Sequence, residues 1–151
     1  MAKKWTADAA LVSSLATNLV ETLPLYPKRM IRMDAIVREQ GMPFSHIQIL
    51  VMLRNGPASI GELSSKLCIA KPNITPLVDR LFESGYVDRQ HDENDRRVVN
   101  IVLLPAGEEK LAAIRATIAR QIQVQSEDLS VTEFRELNDS LASLVRILSS
   151  L

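Results

Sequence analysis

Asp95-Arg96-Arg97 lies in a polar loop between two Val- and Ile-rich runs, and Lys71 and Arg80 bracket the segment Pro72-Asn-Ile-Thr-Pro76. Such cations suit a polyanion. A guanidinium at the tip of a stiff hairpin can enter a narrow duplex groove, where the potential is most negative, with Asp95 beside it to orient it. Once Ile74, Leu77, Val78 and Leu81 face a core, Asn73, Thr75, Pro76 and Arg80 must point away from it. Short polar groups on an early helical turn suit base edges in a major groove, and Lys71 can add a phosphate contact. The tripeptide alone also fits an ordinary charged hairpin loop, and Asp92, Glu93 and Asp95 would repel phosphate unless paired or turned aside.

Other chemistries find little support. The chain has one cysteine, two histidines and five glycines among 151 residues. Cys68, between Leu67 and Ile69, reads as a small core residue, and His46 and His91 form no cluster spaced for a metal. There is no glycine-rich phosphate loop and no G-x-S-x-G, so neither an enzyme nor a cofactor is expected. No apolar run is long enough to span a bilayer, and Met1-Ala-Lys-Lys lacks the apolar core of a secretory signal, so a cytoplasmic protein without a membrane partner is expected. Lys+Arg and Asp+Glu each number 18, giving zero net charge. That balance is weak support for a nucleic-acid binder, although affinity depends on local phosphate contacts rather than on total charge.

The elements that must hold these residues follow from periodicity. Leu11, Val12, Leu15, Ala16, Leu19, Val20 and Leu23 predict a helix over 6–23, interrupted by Pro24-Leu-Tyr-Pro27, and a second helical piece runs from Lys28 to about Glu39. Ser45 with Gln48 and Ser59 with Glu62 read as capping boxes of two short helices, Ser130 with Glu133 as that of the last one. Asn73 could cap the next helix with Pro76 in its first turn, or the start could be at Pro72. Gly85 is placed to terminate it. Strands are expected over Tyr86 to Gln90 and Arg97 to Leu103, and Pro105 opens a further helix carrying Leu111, Ile114, Ile118 and Ile122. Phe134, Leu137, Leu141, Leu144, Leu148 and Leu151 stripe the last helix. The expectation is a mainly α chain with a small β wing, a winged helix-turn-helix over 41–105 flanked by helical dimerisation regions at 1–40 and 106–151.

In order and spacing, Leu67-Cys-Ile-Ala-Lys71, Pro72-Asn-Ile-Thr75, Leu77-Val-Asp-Arg-Leu81, Gly85-Tyr-Val-Asp-Arg89, Asp92, Asp95-Arg96-Arg97, Leu103 and Gly107 resemble the MarR (multiple-antibiotic-resistance regulator) family of winged-helix transcription factors. The resemblance implies a homodimeric regulator, a ligand-responsive repressor of a pseudopalindromic operator on double-stranded DNA. It puts Lys71, Pro72, Asn73, Thr75, Pro76 and Arg80 on the recognition helix. In the wing it makes Asp95 the buttress and Arg97 the minor-groove arginine, with Arg96 nearer the phosphates. Leu104 departs from the family, which usually has a Thr there, and this leaves the following helix start open.

The resemblance also points to a small-molecule effector in the cleft between dimerisation helices and winged helix, lined by Tyr26, Arg29, Met33 and His46. On residue grounds alone His46 reads as a helix-start side chain satisfied by solvent or backbone. A competing expectation is a winged-helix protein-interaction module that does not bind DNA.

Overall fold

The computed structural model describes residues 8–92 and 94–150, apart from the side chains of residues 28 and 29. It divides into two compact units, Met1–Ile31 with Ala119–Leu151, and Arg32–Ile118. The division falls outside the expected boundaries at 41 and 105. Residues 32–40 and the first turns of the helix that begins at Pro105 go with the winged helix.

In the second unit the helices α3 (Met33–Gln40) and α4 (Phe44–Leu53) precede a two-residue strand β1 (Ala58–Ser59). The helices α5 (Ile60–Leu67) and α6 (Lys71–Glu83), the strands β2 (Val87–His91) and β3 (Val99–Leu103), and the start of α7 (Pro105–Gln125) follow. The sheet is antiparallel in the order β1-β3-β2, with Arg89 opposite Ile101 and Ala58 also opposite Ile101. Ile36, Ile49, Leu50, Leu63, Ile74, Val78, Leu81, Val87 and Ile101 are each at most 1% exposed. That core fixes the position of α6 against the sheet, since burying each such side chain is worth roughly 1.5–3 kcal/mol.

Several local signals act as expected. Ser59 and Glu62 form a reciprocal capping box. Gly85, at φ 72°, ends α6 with the amide of Tyr86 donating to Leu81 O and its own amide to Phe82 O, the paired bonds of a Schellman turn. Pro105 opens α7, where the amides of Gly107 and Glu108 donate to the Leu104 carbonyl, so the helix starts there although Leu104 has no side-chain cap to offer.

Other expectations are corrected. Ser45 and Gln48 form no box, because Pro43, with its extended backbone, is the N-cap and Ser45 already lies inside α4. Asn73 does not cap α6 either. The helix begins at Lys71 after Ala70, with Pro72 in its first turn and Pro76 in its interior. Pro76 has no N–H for the Pro72 carbonyl, a defect tolerated because Ile74, Val78 and Leu81 are buried only if the helix is continuous on both sides of it. Cys68 is exposed rather than in the core, and it caps α5 with a left-handed backbone at φ 53°.

In the first unit, α1 (Ala9–Thr22) is capped by the Asp8 side chain, which accepts from the amide of Ala10. The residues expected at its start, Thr6 and Ala7, lie outside the described residues. The expected helix over 28–39 is two helices, α2 (Leu25–Arg29) and α3, separated where Arg32 leaves the helical region at ψ 85°. Pro24 and Pro27 open α2 rather than merely breaking α1, since a missing N–H is harmless in a first turn. The last helix, α8 (Val131–Leu148), has the Ser130–Glu133 capping box.

Candidate nucleic-acid interface

Lys71, Pro72, Asn73, Thr75, Pro76 and Arg80 are all exposed on α6, while Ile74 and Val78 between them are fully buried. The helical period thus yields one outward face. Its polar groups are only lightly committed: the Thr75 hydroxyl donates to Lys71 O at 3.2 Å, and Arg80 has no hydrogen bond or ion pair among the described residues.

The β2–β3 loop is a structured turn. The Asp92 carboxylate accepts from the amides of Asn94 and Asp95 at 2.9 and 3.1 Å and from Asn100 Nδ2 at 3.1 Å. Those bonds, the Asn94 amide first, hold its carboxyl below the usual carboxylate range. The charge that threatened to repel phosphate is turned into the loop. His91 Nδ1 meets the Arg96 carbonyl at 2.8 Å and closes the other side of the turn.

Asp95 grips Arg97 through both oxygens, at 3.0 Å from Nε and 3.1 Å from Nη2, and also accepts from its amide. The guanidinium side chain nevertheless remains 91% exposed. The pair holds the Asp95 carboxyl low and raises Arg97 further. Arg97 is therefore aimed by a bidentate partner at almost no loss of access. Arg96 is exposed beside it.

Sequence reasoning missed what ties this wing to α6. Arg89 on β2 pairs with Asp79 on α6, and its guanidinium stacks 5.4 Å above the Phe82 ring. The signal was present in the spacing. Asp79 and Phe82 lie three apart on one helix face, and Arg89 is the third residue of the strand that follows the Gly85 turn.

The expected effector residues fall into two groups. Tyr26 belongs to the helical unit, where it borders an apolar cavity of about 310 Å³ with Leu25, Met30, Ile122 and Leu129. Met33 and His46 belong to the winged-helix unit. The Arg29 side chain lies outside the described residues. His46 is buried rather than solvated, and its Nδ1 has no hydrogen-bond partner. Among the described residues, no group of acidic, His or Cys side chains could hold a metal, and no helix is long and apolar enough to cross a membrane.

A two-helix turn, a groove-sized outward helix face and a hairpin finger aimed by its own carboxylate define a winged helix-turn-helix. The MarR family model matches residues 45–99. Two Bacillus subtilis (strain 168) proteins named as uncharacterized HTH-type transcriptional regulators are similar: YcgE, 46% identical over 37% of this chain, and YsmB, 35% identical over 59% of it. The chain spans only 36% and 61% of their respective lengths. A solved MarR family protein from Bacillus stearothermophilus superposes at a TM-score of 0.72 with 26% identity, covering 95% of this chain and 99% of that one. Over its winged-helix segment the chain is similar to the MarR family, and its fold is that of the solved MarR family protein.

Proposed function

We propose that the chain is a sequence-specific transcriptional regulator that binds double-stranded DNA as a homodimer, with α6 in a major groove and the wing in the adjacent minor groove. Lys71, Pro72, Asn73, Thr75, Pro76 and Arg80 meet bases and phosphates, Arg97 enters the minor groove under Asp95, and Arg96 lies near the backbone. The observation that carries this is the wing: the Asp92 and Asp95 carboxylates are engaged by the loop's own amides, by Asn100 and by Arg97, while the Arg97 side chain itself stays open.

Pairing falls to the helical regions at 1–40 and 106–151. Leu11, Leu15 and Leu19 on α1 are 66, 60 and 56% exposed, and Leu144 and Leu148 on α8 are 45 and 57% exposed. Apolar faces of that extent call for a partner, and a second copy supplies the symmetry that two half-sites about 34–36 Å apart require. Repression relieved by a small-molecule effector completes the reading.

Selection of bound sites from random duplex is the test. Enrichment of a pseudopalindrome with half-sites one turn apart is expected, and a pool that stays random would overturn the proposal. The zero net charge favours one rival, an interaction module that has kept the shape without the DNA. Affinity for duplex that falls steeply with added salt excludes it.

A further inference from the structure

At about 3.6 residues per turn, Ile74, Val78 and Leu81 form one stripe along α6, and each is at most 1% exposed. Pro72 and Pro76 fall opposite that stripe, one turn apart and both exposed, so two pyrrolidine rings form the outermost ridge of the helix. A proline side chain has no donor and no acceptor. Thr75, exposed beside them, donates its hydroxyl proton to the Lys71 carbonyl at 3.2 Å, which leaves it a methyl and an acceptor to offer but no donor. Of the exposed residues between Lys71 and Pro76, Asn73 alone keeps a neutral donor.

The ridge is apolar, yet its surroundings are cationic. Lys71 and Arg80 are exposed on the same helix, the acid next along this face, Asp79, is taken up by Arg89, and Glu83 lies at the far end. An apolar strip flanked by cations matches one feature of a duplex. In the major groove the apolar group on a base edge is the 5-methyl of thymine, and phosphates border the groove on both sides. Pro76 also needs an account of its own, because a proline inside a helix is costly. Its ring is exposed, so core packing does not supply one.

We propose that α6 reads thymine through its 5-methyl group, with Pro72, Pro76 and the methyl of Thr75 against such methyls in each half-site. The inference rests on the DNA-binding role proposed above and deepens it, since it states which base pairs lie under the ridge.

Uracil in place of thymine deletes the methyl and keeps every hydrogen-bonding atom of the pair. In the duplex recovered by site selection, each thymine is replaced symmetrically in both half-sites and affinity is read by mobility shift. Loss of one buried methyl predicts binding about fourfold weaker per half-site, roughly fifteenfold for the symmetric pair, at the half-site centres where α6 docks. Thymines in the flanks, under the wing, should tolerate the change. In Pro72→Ala/Pro76→Ala, two replacements that favour the helix, binding to the thymine duplex should weaken and the uracil penalty shrink to less than about twofold. A selected site without thymine at its half-site centres overturns the proposal, as does unchanged affinity for the uracil duplex or a penalty that survives intact in the double variant. An equal loss at the flanking thymines overturns it too, by assigning the effect to duplex shape. In each of these cases the DNA reading stands. A chain that binds no duplex overturns the DNA reading and this inference with it.

Discussion

At the scale of single residues, the wing inverts a simple charge argument. If Asp95 were merely a negative charge near phosphate, Asp95→Ala would tighten DNA binding. Because it clamps Arg97 through two oxygens, Asp95→Ala is expected to weaken operator affinity in the same direction as Arg97→Ala, the latter by roughly tenfold or more in mobility-shift titrations. Two glycines separate two kinds of constraint. Gly85 has open space around it but sits at φ 72°, so Gly85→Ala should cost about 1–2 kcal/mol of backbone strain. Gly107 has no such dihedral, yet a Cβ there would stand 2.5 Å from both Leu103 Cδ1 and the Tyr86 carbonyl. Gly107→Ala should cost about 1–3 kcal/mol by overpacking, and denaturant melts of both variants check this. His46 adds a pH dependence. Burial, then Arg80, lower its pKa below the ordinary 6.5, so the folded state binds fewer protons than the unfolded one. Stability is complete above pH 6.5 and declines as pH falls from there toward the folded pKa; in His46→Gln that slope should vanish from urea melts taken across the interval.

At the scale of elements, legibility followed how local each cause is. The Ser59 box, the Gly85 turn and the Pro105 start depend on a few adjacent residues, and each was readable. Ser45 carries the same letters as Ser59, but Pro43 fixes an extended backbone two residues earlier and takes the cap position, so the motif is idle. Ser59→Ala should therefore cost about 1 kcal/mol and Ser45→Ala about nothing, measured as shifts in urea midpoint. Of the two starts the sequence offered for α6, the one at Pro72 lies within a residue of the observed start at Lys71, whereas the Asn73 cap fails because burial of Ile74 and Val78 carries the helix through Pro76. A strand as short as β1 has no alternation to detect; its pairing with β3 creates it. In the candidate site, the outward face of α6 and the arginines were legible from the period and the loop composition. The Asp79–Arg89 tie, ten residues apart on consecutive elements, had a signal in its spacing that went unread, whereas the orphaned His46 nitrogen was not legible, since it arises from packing between elements distant in sequence.

At the scale of the whole molecule, composition and function part company: charges sum to zero, yet 18 cations can be distributed so that one surface is basic. The unburied leucines of α1 and α8 are what the proposed pairing rests on. Leu15→Glu and Leu144→Glu are expected to shift sedimentation toward a single subunit and to lower operator affinity by at least about tenfold through lost bivalency; a variant that stays paired or binds unchanged would contradict that assignment. Finally, the exposed, left-handed Cys68 is the sole thiol of the chain, stationed just ahead of the helix assigned to the major groove. A fluorophore conjugated there needs no other cysteine removed and no buried side chain displaced, so docking on an operator can be timed optically in an otherwise unaltered protein.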